Sequence, residues 1–429
     1  MHIKKIDVRN VKTLASFVWE LTPGDSVSGW HVFLGDNGAG KSTLLRCCAT
    51  ALMGQKNAIG LRLPWVDWIR QGEAEAKITL TVSQASGWDQ WAGQGKTTAG
   101  DLKLGVKIGS SGLEAMEHSP SPNRHVWGGS GWFSASFGPY RRFSGGSKEY
   151  EKLFYSMPKL ASHLSIFGED VALSETLTWL RELHYQQLDD EKRGLQISQA
   201  TILLQHVKQF INQEGFLPNG VTLEEIGPRG IVFLDQSRMP IEIVNLSDGF
   251  RSILSMTLEL IRQLASTFGS DKIFNEDSSN IVLPGVVIID EIDVHLHPKW
   301  QRAIGPWLTG HFPNIQFLVT THSPLVCQGA IRGSVTRLPI LGTDNVGGRI
   351  TGIELNRLLY GDILEALSSG AFGEGIDRSN LAQEMLIELA TLNVKSRHQD
   401  LNETEVGRRR ELQSIFGSVS DTTEGISDA

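Results

Sequence analysis

The chain has 429 residues, a net charge of −8, 40% hydrophobic residues and three cysteines. That length suits two or three domain-sized units with a full core. No stretch approaches the ~18 uninterrupted apolar residues of a membrane-spanning helix, and Cys47, Cys48 and Cys327 are too few and too badly spaced for a disulfide framework or a zinc site.

The acidic balance gives no global basic field for nucleic acid, although net charge averages over faces and leaves room for a local patch. Met1 to Ile6 lead into a strand-like run, not a signal peptide's apolar stretch, so an intracellular, cytoplasmic protein is expected. Cys47 and Cys48 read as small core residues.

In chain order, Ile3 to Val11 and Ser16 to Leu21 read as strands rich in β-formers. Trp30 to Leu34 is a short apolar strand, and Leu44 to Met53 has helical character. Ala76 to Val82 alternates as Ile78, Leu80 and Val82, which predicts an antiparallel strand with one wet face. Residues 83 to 131 are rich in Gly, Ser and Trp and read as hairpins and loops, with Leu102 to Ile108 the best strand. Trp132 to Phe137 enters Gly138-Pro139-Tyr140-Arg141-Arg142. That turn either presents two cations or carries solvated arginines. Ser144 to Ser147 reads as a mobile loop.

Leu153 to Gln213 has helical period, broken near Gly168 and Gly194, without the sustained heptads of a coiled coil. Val221 to Ile226 and Gly230 to Leu234 return to strand. Asn245 to Ser252 opens a helix over Ile253 to Leu264, with Ser247 or Asp248 as its cap. Gly285 to Ile289 is wholly apolar and Ile315 to Val319 is a further apolar run, as strands buried on both faces are. Leu338 to Leu341 is a candidate for one more strand. A helix follows over Leu381 to Leu392, Arg408 to Arg410 lie in a weaker one, and Ser418 to Ala429 read as disordered.

The chemistry starts at Gly35-Asp36-Asn37-Gly38-Ala39-Gly40-Lys41-Ser42-Thr43, between the Trp30 strand and the first helix. Strand, glycine-rich loop and helix form the context that turns this pattern into a phosphate site. Gly35, Gly38 and Gly40 can take angles closed to other residues and let the main chain wrap an anion at a helix N-terminus. Lys41 supplies a point charge for β- and γ-phosphates, and Ser42 a hydroxyl for Mg²⁺. The plainer alternative is a glycine-rich turn with a chance Lys-Ser.

Asp290 ends an apolar strand, where α/β sheets place ligand groups, and can hold Mg²⁺ through water. Glu291 is placed to polarise an attacking water. Alone, this pair would read as an acidic turn after a core strand; with a phosphate loop in the same chain the functional reading is favoured. His322, just past another strand end, could hydrogen-bond a γ-phosphate oxygen. A lone His there is more often structural, but the order of elements favours function. Ser247-Asp248-Gly249 at a helix start offers a second phosphate-binding surface, weak as a motif by itself.

These residues in this order resemble the ABC-type ATPase family, within it the soluble branch of RecF, the structural-maintenance-of-chromosomes proteins and the OLD-like ATPases. Leu246 to Arg251 is similar to the signature motif, with Asp248 in its first glycine place. Asp290 to Pro298 is similar to the Walker B segment and following loop of the OLD-like branch, and His322 matches the switch histidine. The motifs cover roughly residues 1–60 and 230–330. Arg141 and Arg142 lie near the Q-loop position, where no glutamine is assigned. No acidic cluster of a C-terminal Toprim nuclease is visible. The size and the arginine turn look more like the ATPase subunit of Septu-type or retron-associated antiphage systems.

The resemblance implies an α/β ABC-ATPase head, a P-loop sheet core with an antiparallel β subdomain and a helical insert. The expected division is an N-terminal lobe over 1–150, the insert over 151–220, a C-terminal lobe over 221–370 and a tail over 371–429. It implies ATP and Mg²⁺ as ligands and a head-to-tail dimer, ATP sandwiched between Lys41, Ser42, Asp290 and Glu291 of one copy and Ser247 and Gly249 of the other. Expected partners are a separate nuclease subunit and DNA or RNA, with no membrane. Competing functions are a DNA-maintenance ATPase, a transporter's ATPase subunit and a non-hydrolysing ATP-binding scaffold.

Overall fold

In the computed structural model, residues 1–90, 92, 100–116, 126–141, 156–168, 174–194, 198–217, 220–227, 230–274, 280–340, 347–361, 366 and 380–416 are described. The expectations for Arg142, the Ser144–Ser147 loop, Leu341 and residues 418–429 lie outside them. The chain divides into two compact units, Met1–Ala366 and Leu367–Ala429.

The first unit opens with β1 (His2–Val11) and β2 (Leu14–Glu20), then β3 (Gly29–Leu34), the phosphate loop and helix α1 (Lys41–Ile59). Next come β4 (Ala76–Ser83), β5 (Leu102–Gly109), β6 (Gly112–Ala115) and β7 (Ser134–Phe137). Helices α2 (Pro158–Leu164), α3 (Ser174–Lys192) and α4 (Gln199–Ile211) follow, then β8 (Thr222–Gly227), β9 (Gly230–Leu234) and β10 (Pro240–Glu242). Helix α5 (Asp248–Phe268), β11 (Gly285–Ile289), α6 (Pro298–His311), β12 (Ile315–Thr320), β13 (Gly333–Arg337), β14 (Gly348–Arg349) and α7 (Gly352–Tyr360) complete it.

Three sheets organise these elements. One has the order β14-β13-β3-β12-β11-β7, with every neighbouring pair parallel except β13 and β14. Its strands β3, β11 and β12 are buried at every position, which explains why they read as largely apolar runs; the polar His31 and Gln316 within them are hydrogen-bonded, to Ser334 Oγ and to the Ile3 backbone. A second, antiparallel sheet has the order β2-β1-β4-β5-β6. Its β4 buries alternate residues and leaves the others half-buried, the period-2 pattern of a sheet with one covered face. A third, β10-β9-β8, is small.

Helix α1 lies between the first two sheets. Leu44, Leu45, Cys47, Cys48, Ala51 and Leu52 share one core with Ile78, Leu80, Leu104 and Val106 on one side and Val286, Ile288 and Leu318 on the other. The helix kinks at Gly54, at φ 80°, just past the stretch whose pattern read as helical. On the far face of the parallel sheet, the rings of Trp30 and Phe317 lie 5.6 Å apart, and the Trp30 indole donates to the Val326 carbonyl at 3.1 Å.

The last strand differs from expectation. Gly333–Arg337 is the strand, and Leu338 to Ile340 form none. Leu338 instead packs its side chain in the core beside the phosphate loop.

The second unit holds α8 (Asn380–His398) and α9 (Glu403–Phe416). They close a small core of Leu389, Leu392 and Leu412, with Arg408 paired to Glu388 at 2.9 Å. No described helix is long and apolar enough to cross a membrane.

Candidate nucleotide site

The parallel register sets the site. Because β3, β12, β11 and β7 run side by side in one direction, the loops leaving them meet at one edge of the sheet. The phosphate loop leaves β3, His322 follows β12, Asp290 and Glu291 follow β11, and Gly138 to Arg141 follow β7. Residues scattered over the chain thus share one edge.

Gly38 and Gly40 have φ of 83° and 98°, open only to glycine at low cost. Gly35 does not; a Cβ there would meet Ala39 Cβ at 3.0 Å, so its constraint is close approach. At Gly40 a Cβ would also meet Thr13 Oγ1 at 2.8 Å, so the β1–β2 turn closes over the loop. Asp36, Asn37 and Gly38 are exposed, Ala39 is buried, and Ser42 and Thr43 are half-buried at the start of α1.

Lys41 is buried, and its ammonium donates to the Gly35 carbonyl at 2.7 Å and the Asp36 carbonyl at 3.1 Å. Burial lowers its pKa, and the carboxylates of Glu291, Asp290, Asp36 and Asp293 oppose that shift. The lysine therefore lies within reach of the acidic turn's field.

The acidic turn is tightly built. Thr320, the last residue of β12, donates its hydroxyl to Asp290 Oδ1 at 2.6 Å and accepts the Glu291 amide at 2.8 Å. Thr321 donates to Asp293 Oδ1 at 2.5 Å. Asp290 is 1% exposed, whereas Glu291 is half-buried with φ of 46°. A non-glycine residue held left-handed stores backbone strain, which collects at functional turns. His322 is exposed at the same edge.

Arg141 overturns an expectation. It is 4% exposed, not a solvated or nucleic-acid-facing cation. Nη1 donates to the carbonyls of Gly138 and Asp290, both at 2.9 Å. Nη2 donates to the carbonyls of Glu291 at 3.1 Å and Ile292 at 3.4 Å, and Nε to Ser252 Oγ at 2.9 Å. Burial brings the guanidinium down to about 10, against the pull of Asp290, Asp293 and Glu291, so it stays charged at neutral pH.

Ser247, Asp248 and Gly249 stand apart from the phosphate loop. They line a cleft of about 830 Å³ with Phe250, His295, His297 and Trp300, and none of residues 35–43 lines it. Ser247 occupies the cap position of α5, but its hydroxyl makes no capping hydrogen bond. Asp248 pairs with Arg251. The expected cap is therefore corrected: the first amides of a 21-residue helix are left for another acceptor. A Cβ on Gly249 would strike the His295 carbonyl, so glycine lets α5 sit against the loop after β11.

The fold is α/β: a largely parallel sheet with a phosphate loop after β3, an antiparallel sheet beside it and helix α5 starting apart from that loop, the arrangement expected from the resemblance to ABC-type ATPase heads.

The family described as "AAA domain, putative AbiEii toxin, Type IV TA system" matches residues 161–328. The "Septu protein PtuA" of Bacillus mycoides (strain KBAB4) is 25% identical over 348 residues, which is 78% of this chain and 40% of that protein. The "Retron Ec83 probable ATPase" of Escherichia coli is 40% identical over 115 residues, 26% of this chain and 20% of that one. The chain thus spans well under half the length of these curated relatives. Among solved structures, an SMC head bound to the C-terminal winged-helix domain of ScpA superposes with a TM-score of 0.48 at 13% identity, over 82% of this chain and 97% of that one. In sequence the chain is similar to part of the Septu protein PtuA and of the retron probable ATPase.

Sequence reasoning missed Thr320, Thr321, Ser252 and the role of Arg141. Their signal is contact across strands, which no local spacing carries.

Proposed function

We propose that the chain hydrolyses ATP between two copies of itself, and that nucleotide state gates a partner nuclease in antiphage defence. The observation that carries this is the division of the site: residues 35–43 with Asp290 and Glu291 on one face, Ser247 to Gly249 in a separate cleft. Two half-sites in one chain need a second head to meet. Residues 1–150 and 221–370 would supply the two lobes, 151–220 a helical insert between them, and 371–429 a tail.

The residues fit Mg²⁺-ATP. The left-handed Gly38 and Gly40 form the anion cradle, and Lys41 is held by two loop carbonyls that a phosphate can replace. Ser42 and Asp290 would hold the metal, which supplies charge neutralisation at the β- and γ-oxygens when bound. Lys41 draws negative charge toward the loop. Glu291, steered by its strained backbone and the Thr320 hydroxyl, takes a proton from the attacking water. His322 would read the γ-phosphate, and the partner copy's Ser247 and Gly249 would close over it through the uncapped end of α5. The relatives' names support the defence setting by analogy.

Glu291→Gln tests this. Phosphate release should fall at least about 100-fold while ATP binding stays, and dimers should accumulate with ATP. Parental turnover by the variant, or no ATP-dependent change in mass by light scattering, would sink the reading.

A further inference from the structure

We propose that Arg141 is a positioning residue that couples the two half-sites within one head, by tying the acidic turn after β11 to the signature helix α5 through Ser252. The inference rests on the nucleotide-site reading above and names what transmits between its parts.

The guanidinium has five N–H donors, and all five are committed. Four go to the carbonyls of Gly138, Asp290, Glu291 and Ile292, and the fifth to Ser252 Oγ. None remains for a phosphate. A residue at a loop beside the nucleotide, with no donor free for it, acts on protein alone.

What it holds is specific. Three consecutive carbonyls of one turn face one planar cation, and the middle residue is Glu291 with its φ of 46°. Fixing that carbonyl fixes the direction of the Glu291 side chain. The remaining donor crosses to a different element: Ser252 is 2% exposed, one helical turn into α5 from Asp248 and Gly249. Displacement of α5 when a partner docks against Ser247 to Gly249 therefore pulls on the same plane that sets Glu291. The rigid fork carries that movement; a lysine, a point charge on a flexible stem, cannot span both. Occupancy of one half-site is thus conveyed to the acid–base residue of the other.

The test removes only the link. Ser252→Ala keeps the four carbonyl bonds and loses the fifth. Its kcat should fall about tenfold, the scale of one lost charge-assisted hydrogen bond, with KM for ATP within about twofold of the parent. Ser252→Thr, which keeps the hydroxyl, should restore kcat. Arg141→Lys should behave as Ser252→Ala does, with ATP affinity by calorimetry unchanged. If Ser252→Ala does not fold, Ser252→Cys, with a weaker acceptor of similar size, should show the same kcat loss.

Parental kcat in Ser252→Ala overturns the coupling. So does a fall in ATP affinity and thermal stability with no separate kcat loss, the mark of a structural contact. No phosphate release from the unaltered chain instead overturns the reading of the site itself, so the two failures are distinguishable.

Discussion

The two proposed half-sites differ in how finished they are. On the nucleotide side, the turn after β11 has its polar groups paired: Asp290 with Thr320, Asp293 with Thr321, and three carbonyls with Arg141. On the signature side, Ser247 and Asp248 are exposed, the helix start lacks a side-chain cap, and a cleft of about 830 Å³ opens beside it. The first surface is complete within one chain. The second offers unused donors and waits for an acceptor. That asymmetry is what a composite site requires, and it can be broken at either end.

The largest effect should come from contrasting the two ends. Lys41→Ala removes the cation that the loop carbonyls now hold, so ATP affinity by calorimetry should drop by at least about tenfold, the worth of a charged contact to phosphate. Ser247→Arg adds bulk at an exposed residue and should leave ATP affinity unchanged while abolishing ATP-dependent dimers and turnover. Equal loss of binding in both variants would mean that the cleft and the loop are one site, and the comparison would fail.

A smaller effect lies within the finished half. Thr320→Val keeps shape but strips the hydroxyl that serves both the Asp290 carboxylate and the Glu291 amide. Leaving buried groups unpaired should cost about 1–3 kcal/mol of stability by denaturant titration, and turnover should fall about tenfold. A variant as stable and active as the parent would show that the turn does not depend on this bridge.

How much of this the sequence carried follows the range of each interaction. The phosphate loop, the apolar runs of β11 and β12 and the alternation of Ile78, Leu80 and Val82 are local signals, and each element stands where the pattern puts it. That Asp290, Glu291 and His322 would stand just past strand ends was legible, because a charged or polar residue ending an apolar run is itself a local pattern. Arg141 was misread because burial of an arginine is decided by partners at Ser252 and Asp290 to Ile292, all distant in sequence. The β13 strand was placed five residues late, because Leu338 to Leu341 is more apolar than Gly333-Ser334-Val335-Thr336-Arg337. The parallel neighbour β3 chose the less apolar segment, and Leu338 serves the core instead.

The smallest expected effect separates the halves by pH. His163 on α2 is fully buried, its ring nitrogens bonded to Ser134 Oγ at 3.0 Å and Ser136 Oγ at 2.5 Å on β7. Burial, with Lys159 nearby, brings its pKa down to about 3. The unfolded chain therefore takes up this proton below the ordinary histidine value near 6.5, and the folded chain does not until about 3. Its contribution to stability is present in full above about pH 6.5 and is lost as pH falls through that window, at no more than about 1.4 kcal/mol per pH unit. His31 on β3, brought down to about 4 by burial, adds a loss of the same sign. His31 stands on, and His163 packs against, a strand that leads to the phosphate-loop edge. His163→Gln, which keeps a hydrogen-bonding side chain but no titration here, should reduce the fall of melting temperature between pH 6.5 and 4.5 and leave the parts due to His31, His2, His206 and His311, whose pKa values burial also lowers. The protection of the Gly138 and Tyr140 amides against hydrogen exchange, corrected for the pH dependence of the intrinsic rate, should fall with acid in the parent before that of amides within α5 does. An unchanged slope in the variant, or protection lost first within α5, would place the acid-sensitive element elsewhere and remove β7 from the account of how the nucleotide half is held.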